Sequence, residues 1–284
     1  MGWKIWLEKK QLLTSATLIQ PFYLLTTTLL SLLLPLSFLL LARLSASYAV
    51  FTSDPYPQPH PSNYSSILIS LFIKTNPSFL HAVVSLLTAA TLIHGLTGQK
   101  LVTTESPDPN FRPHLCISWI LLCTLQLCIG FGIEGIIAAG IDGYGFGNER
   151  SLSSRVVFFL GLHEAMLYWW RVVVKPVVDD TVFGFVTEEK WVERAAMGVG
   201  YGALWCWRLR SEVESLAVMV EVKREMEMGV DIADFVGWWL YYLIVTIGMV
   251  RIVKGIAWVG VILLSGRVEA NPIDIDYTEN EDKV

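Results

Sequence analysis

The sequence predicts an all-α fold: a polytopic transmembrane helix bundle of about six spans, with one amphipathic surface helix beside it. Of the 284 residues, 53% are hydrophobic and 17% are charged, whereas soluble domains carry roughly 25% charged residues. The charged residues are unevenly spread, because long charge-free runs alternate with short polar stretches. None of the apolar runs shows the period-two alternation of a membrane β-strand, so helices are the predicted way across lipid.

Six apolar segments are predicted to form the spans, because a hydrocarbon core of about 30 Å needs about 20 apolar residues of helix. Pro35 is expected to kink the first segment. The fifth is marginal in length, and the sixth is longer than one span requires. Within a membrane domain of residues 19–266, the segments are 21–42, 79–96, 115–139, 156–174, 195–207 and 235–264.

Three further stretches are predicted to lie outside the hydrocarbon. Residues 1–18 are expected to form a cytoplasmic amphipathic N-terminus, and the acidic residues 267–284 a disordered tail. Between the fifth and sixth segments, four apolar residues share one helical face, namely Leu216, Met219, Val222 and Met226. This pattern predicts a surface helix docked on the bundle or on the membrane.

The distribution of lysine and arginine predicts a cytoplasmic N-terminus. Lys4, Lys9 and Lys10 precede the first span, while only Arg43 follows it closely. The next loop would then face outward, and there Asn63 begins an Asn-Tyr-Ser glycosylation pattern. Six spans return the C-terminus to the cytoplasm. The expected location is a eukaryotic endomembrane or the plasma membrane.

Several function classes lack the residues that their chemistry needs. The net charge is −5 without a basic block, so nucleic-acid binding has no electrostatic basis. His163-Glu164 begins like the zinc-protease motif H-E-x-x-H, but Leu167 stands where the second metal ligand is required. No serine lies in a G-x-S-x-G motif. The chain is therefore expected to be non-enzymatic and to hold no metal or other cofactor.

The fourth segment carries a polar helical face inside an apolar run. Its members recur at i, i+4, i+7 and i+11 and are Glu164, Tyr168, Arg171 and Lys175. A lipid-facing charge at mid-bilayer costs about 2.5–3.5 kcal/mol even on the lenient insertion scale, so this face must turn toward protein or water. The expected partners of Glu164 lie in the sixth segment and are Arg251 and Lys254.

Two interpretations of this polar face remain open. An interhelical ion pair that fixes packing would suit a scaffold or accessory subunit of the membrane, which is the preferred function because no catalytic motif is present. Alternatively, the face forms a path for a proton, ion or small polar solute, with Glu164 as the titrating group. That second interpretation predicts a small transporter or channel.

Four histidines raise a third alternative, a redox protein that holds b-type haem. His94 with His114, and His81 with His163, are spaced to form two axial pairs between neighbouring segments. This resembles the two-haem arrangement of membrane cytochromes b, although only in these four side chains. A membrane histidine more often hydrogen-bonds between packed helices, so haem b is kept as the alternative.

Small residues in the fifth segment predict a close helix contact. Gly198 and Gly202 form a small-x-x-x-small face, which would let another helix approach within one copy of the chain or in a dimer. The expected partners of the protein are accordingly the lipid bilayer, other membrane proteins or a second copy.

Overall fold

A computed structural model of the chain describes residues 20–53, 77–97, 113–138, 152–183, 189–225 and 229–268. All regular elements in these ranges are helical, which confirms the predicted all-α class. Five of the described helices are long and apolar enough to cross a membrane, and they are Gln20–Ala46, Ser78–Thr97, His114–Gly135, Leu152–Thr181 and Ile232–Leu263. The predicted fifth segment, residues 195–207, is not among them.

The described ranges form seven helices, numbered here in chain order. The helix α1 begins at residue 20, is interrupted at Leu32 and continues as Leu33–Ser53. The next three are α2 (Pro77–Thr97), α3 (Pro113–Ala138) and α4 (Leu152–Trp169), which continues through wider π-helical turns at Trp170–Val174 and Asp179–Phe183. The last three are α5 (Trp191–Leu204), which continues to residue 212, α6 (Ser215–Glu225) and α7 (Ile232–Val268).

The interruption in α1 lies one turn before Pro35. Proline has no N–H, so it cannot donate to the carbonyl of Ser31 as a regular helical residue would. Neighbouring bonds carry the helix across the gap: Leu32 N–H donates to the Thr28 carbonyl at 3.1 Å, and Leu36 N–H donates to the Leu32 carbonyl at 3.0 Å. The helix therefore continues through Pro35 into its second half.

Polar contacts define the two ends of the bundle. At the Asp179 end, the Tyr23 hydroxyl near the start of α1 donates to Asp179 near the end of α4, at 3.0 Å. At the Arg43 end, Arg43 forms two hydrogen bonds with Glu212, the last residue of the extended α5. Tyr23 near the start of α1 meets Asp179 near the end of α4, and Phe38 further along α1 meets Phe158 near the start of α4, so these two helices run in opposite directions.

The remaining helices alternate in direction in the same way. His81 near the start of α2 hydrogen-bonds Ser45 at the Arg43 end, at 3.1 Å. Gly132 late in α3 lies against Leu40 of α1, so α3 runs toward the Arg43 end. At the start of α7, the Ala233 carbonyl accepts from Ser85 of α2, so α7 starts at the Arg43 end. Helices α1, α3 and α5 thus run one way, and α2, α4 and α7 run back.

The helix α5 runs along the bundle from one end to the other. Glu193 in its first turn pairs with Lys175 at the Asp179 end, at 3.9 Å, and Glu212 reaches the Arg43 end. Between them, a Cβ on Gly200 would lie 3.3 Å from Thr28 of α1. The regular part of α5 has only 14 residues, although the helix continues to residue 212. Charged residues near both of its ends, Glu193, Arg194, Arg208, Arg210 and Glu212, explain why it is not among the apolar helices.

The amphipathic helix α6 is docked on the bundle at the Arg43 end. Leu216 and Met219 of its apolar face are buried and Val222 is half-buried. The Ser215 hydroxyl donates to the Ala42 carbonyl of α1 at 3.2 Å. The apolar face predicted for a surface helix therefore packs on protein, against α1 and α7.

The core lies around α4. Phe158 meets Phe38 of α1 edge to face, with ring centroids 6.2 Å apart, and stacks on Tyr241 of α7 at 4.9 Å. Trp169 and Trp170 are fully buried near the other end of the same helix. This central position puts the polar residues of α4 within reach of α1, α5 and α7.

Several predicted features lie outside the described residues. They are the N-terminal residues 1–18, Asn63, Met226 and most of the predicted tail, 267–284. The first two residues of that tail, Arg267 and Val268, are still the last turn of α7.

Candidate functional site

Helices α4 and α7 pack with their backbones in direct contact at two glycines. A Cβ added to Gly161 would overlap the carbonyl oxygen of Ile244, and one added to Gly248 would overlap the carbonyl oxygen of Val157. Backbone oxygens cannot move aside as a flexible side chain can, so both positions require glycine. Such contacts let Cα–H groups approach carbonyl oxygens across the helix pair.

Sequence analysis did not single out these glycines. One signal was present, because Gly161 and Ala165 form a small-x-x-x-small pair in the fourth segment. The glycine pair that was singled out, Gly198 and Gly202, lies elsewhere: a Cβ on Gly202 meets nothing within 4 Å, and one on Gly198 meets only His163, at 4.0 Å. Within one copy of the chain, the close approach is therefore at Gly161 and Gly248 instead.

An ion pair lies one helical turn beyond the glycines. The Arg251 guanidinium of α7 contacts the Glu164 carboxylate of α4. The spacing from Gly161 to Glu164 equals that from Gly248 to Arg251, as expected for two parallel helices in register. Of the two partners predicted for Glu164, the structure brings Arg251 to it, while Lys254 is exposed one turn further along.

The rest of the predicted polar face does not join this pair. Tyr168 is exposed, and Arg171 pairs with Glu189 at 3.0 Å. Lys175 pairs with Glu193 at 3.9 Å and lies over the ring of Trp170 at 5.4 Å. The face therefore divides into an α4–α7 pair and a second group at the Asp179 end.

The π-helical turn at Trp170–Val174 gives the physical reason for this division. A π turn holds more residues than an α turn, so every residue after it is rotated relative to a continuous α-helix. The spacing that placed Arg171 and Lys175 on the face of Glu164 assumed 3.6 residues per turn throughout. That assumption fails beyond Trp169, and both cations turn toward the start of α5.

The two glutamates at the Asp179 end respond differently to their surroundings. Partial burial would raise the pKa of Glu189, but the hydrogen bond and charge of Arg171, together with Arg194 at 2.7 Å, hold that pKa below its usual range. Burial raises the pKa of Glu193, and the attraction of Lys175 offsets this only in part. Glu193 is thus the more readily protonated of the two.

The histidines are only partly brought together. The rings of His94 and His114 are nearly parallel with centroids 6.5 Å apart, and Nε2 of His94 lies 3.2 Å from the Ser118 hydroxyl. His81 instead bonds Ser45, and His163 lies beside the ring of Tyr201, at 5.7 Å.

Of the two predicted axial pairs, only His94 and His114 lie close to one another among the described residues. His81 and His163 make no ring contact with one another in the described part of the chain, because α1 and α5 engage them separately. Haem b stays a prediction for the first pair, whose His94 already uses Nε2 for a hydrogen bond.

A second ion pair, at the Arg43 end, was missed by sequence analysis. Lys223 of α6 contacts Asp234 of α7 at 2.6 Å, and each side chain is only 1% exposed. The other carboxylate oxygen of Asp234, Oδ1, has no hydrogen-bond partner among the described residues. Nearby, Glu214 accepts two hydrogen bonds from Arg155 of α4. Glu214, Lys223 and Asp234 belong to the stretch for which the sequence predicted a surface helix.

The chain matches no family of known proteins, no curated protein and no solved structure. Ion pairs connect α4 with α7, α5 with α1 and α4, the turn before α6 with α4, and α6 with α7. Three of these five pairs join residues far apart in the sequence, so the charges can fix the relative positions of helices that hydrophobicity alone leaves interchangeable.

Proposed function

We propose that this chain is a multi-pass integral membrane protein that serves, without catalysis, as a scaffold or accessory subunit of a larger membrane assembly. The observation that carries the proposal is the exposure of the second half of α7. Helix α7 packs on α4 as far as Arg251 and then presents apolar side chains on its outside. In the most apolar window of this helix only 11% of residues are buried, compared with 56% in the first span.

The exposed half of α7 is too apolar to face water. The side chains that are more than three-fifths exposed include Val253, Ile256, Trp258, Val261 and Leu263. An apolar surface of this length is suited to lipid or to the helix of another membrane protein. In lipid, no hydrophobic force pulls the exposed half of α7 onto the bundle. That half therefore remains available for contacts with neighbouring membrane proteins.

Six spans are proposed because α5 accompanies the five apolar helices from one end of the bundle to the other. The described part of α1 then starts, and α7 ends, at the Asp179 end, and the lysines before the first span favour a cytoplasmic position for that end. The Asp179 end also carries four cationic side chains, which supports the same orientation; they are Arg171, Lys175, Lys190 and Arg194. A eukaryotic endomembrane or the plasma membrane is the proposed location.

Within this proposal the Glu164–Arg251 pair serves to hold α4 and α7 in register. The pair lies directly after the glycine contact, and each of its charges is offset by the other. The alternative function, a transporter or channel along the Glu164 face, requires the same carboxylate to exchange protons or ions during transport.

The experiment that tests the scaffold proposal has two parts. First, the native membrane extract in a mild detergent should contain the chain in a particle clearly larger than its 31.9 kDa plus detergent. Second, purified protein in liposomes should show no proton or ion flux above that of empty liposomes. A particle of monomer size would overturn the scaffold proposal. A flux that Glu164→Gln abolishes would overturn it in favour of the transporter.

A further inference from the structure

We infer that Lys254 is the docking point for a transmembrane helix of a different protein, one that carries an aspartate or glutamate at the middle of the bilayer. The inference rests on the proposed function and names the chemistry of the partner. It is carried by the depth of Lys254, by its lack of a counter-charge and by the positions of the chain's own exposed carboxylates.

Lys254 lies near the middle of the bundle. Arg251 pairs with Glu164, which lies about halfway along α4 between Arg155 at the Arg43 end and Lys175 at the Asp179 end. At a rise of about 1.5 Å per residue, Lys254 is only about 5 Å further along α7 than Arg251. The lysine is therefore at a depth where a bilayer of matching thickness is hydrocarbon.

Lys254 makes no ion pair with any residue in the part of the chain that the structure describes, and its side chain is exposed. One turn before it lie Arg251, whose charge is offset by Glu164, and the exposed Val250, and one turn after it lies the exposed Trp258. A lone ammonium among lipid chains is strongly unfavourable, and intramembrane cations accordingly pair with carboxylates or reach water. A carboxylate from outside the chain would supply the missing partner.

Among the residues that the structure describes, a second copy of this chain offers no exposed carboxylate at the depth of Lys254. The exposed carboxylates within the described spans are Glu134 and Asp180. Glu134 follows Gly132, which lies against Leu40 close to the Arg43 end, and Asp180 adjoins the opposite end. Copies related by an axis normal to the membrane meet at equal depth, and both carboxylates are about 15 Å or more from the depth of Lys254. The partner is therefore a different polypeptide.

The surface around Lys254 allows a helix to come close. Ala257 lies on the same face one turn further on, and a Cβ on the adjacent Gly255 would meet nothing within 4 Å. Small residues beside a charge let a partner backbone approach while its carboxylate reaches the ammonium. The partner expected here is a single apolar helix with one central Asp or Glu.

A synthetic transmembrane peptide tests this docking directly. The probe is a Leu/Ala helix with one central Asp, labelled for energy transfer to the full-length chain in phosphatidylcholine vesicles. Its controls carry Leu at the centre, or carry the Asp two turns nearer one end. The wild-type chain should bind the central-Asp peptide about tenfold more tightly than either control, as expected for one polar contact between membrane helices.

The variant Lys254→Leu should bind all three peptides equally, while the matched control Val253→Leu keeps the preference for central Asp. Equal binding of the three peptides by the wild-type chain would overturn the inference and would mean that Lys254 extends to the interface instead. Energy transfer between two labelled copies of the chain that Lys254→Leu removes would overturn it in favour of self-association.

The size of the native particle separates this inference from the proposed function. If the native particle stays large in Lys254→Leu, and if the wild type and the variant bind the three peptides in the same way, the scaffold proposal stands and the docking at Lys254 fails. If the wild-type particle is already of monomer size, the scaffold proposal fails whatever the peptides show.

Discussion

Gly161 of α4 and Gly248 of α7 lie side by side in two parallel helices, and one turn later the same register brings Glu164 to Arg251. The glycines allow the backbones to approach, and the shared register places the carboxylate beside the guanidinium. The α4–α7 contact thus combines close backbone packing with an ion pair.

Replacing Gly161 by valine should destabilise the protein by about 2 kcal/mol or more, because the new side chain would have to displace the backbone of α7. The thermal unfolding midpoint in detergent measures the loss. Gly202→Val is the matched control, since that position is open, and it should change the midpoint little. Equal effects of the two substitutions would show that the α4–α7 contact is not close.

Separating Glu164 from Arg251 should reveal coupling between them. Arg251→Leu alone leaves a carboxylate without its partner and should destabilise by about 2 kcal/mol, while Glu164→Leu with Arg251→Leu should recover part of that loss. Chemical or thermal unfolding of the two single variants and the double variant gives the coupling free energy. Strictly additive effects would mean that the pair does not hold the helices together.

The buried Lys223–Asp234 pair should be more sensitive than the Glu164–Arg251 pair, because both of its side chains are almost fully buried. Lys223→Met is expected to cost about 3–5 kcal/mol, since Asp234 would be left buried without a counter-charge. The exposed Lys190→Met serves as the control. If Lys223→Met and Lys190→Met unfold at the same temperature, α6 does not dock on α7 through this pair.

The two glutamates at the Asp179 end should give pH effects of opposite sign. The pKa of Glu193 is raised in the folded state, so folding favours its protonated form and stability is lost as pH rises from the ordinary glutamate pKa to the raised one. Glu193→Gln should therefore be more stable than the wild type at neutral pH, and the gain should vanish in acid.

Glu189 should behave in the reverse way, because its pKa is lowered in the folded state. Its contribution to stability is present above the ordinary glutamate pKa and is lost as pH falls through the lowered value. Glu189→Gln should accordingly be less stable than the wild type at neutral pH and equal to it in acid. Unfolding midpoints from neutral pH down to about pH 3 check both variants, and parallel curves for the two would contradict the assignment.

The proposed orientation of the bundle predicts glycosylation of Asn63, because residue 63 follows α1, which runs toward the Arg43 end, and precedes α2, which starts there. Expressed in a eukaryotic cell, the chain should migrate more slowly than after glycosidase treatment, and Asn63→Gln should remove that difference. A glycosylation tripeptide introduced after Val268 should stay unmodified. Modification at that C-terminal position would show that the number of spans is odd or the orientation reversed.

The helical class and the approximate limits of the apolar helices follow from the sequence, because both depend on local composition. A run such as Leu115 to Ala138 favours a helix in lipid whatever its neighbours are. The same local reasoning showed that Glu164 needs a partner, since an isolated charge at that depth is costly. It also narrowed the partner to two cations of the sixth segment.

The choice between Arg251 and Lys254 depends on the register of α4 against α7, and that register is set by Gly161 and Gly248, far apart in the chain. The path of α5 along the bundle, the burial of Lys223 and the π-helical turn that rotates Arg171 away from Glu164 are likewise products of packing. Hydrophobicity assigns residues to helices and helices to lipid. The rotation and pairing of those helices come from contacts between distant segments, which no local pattern encodes.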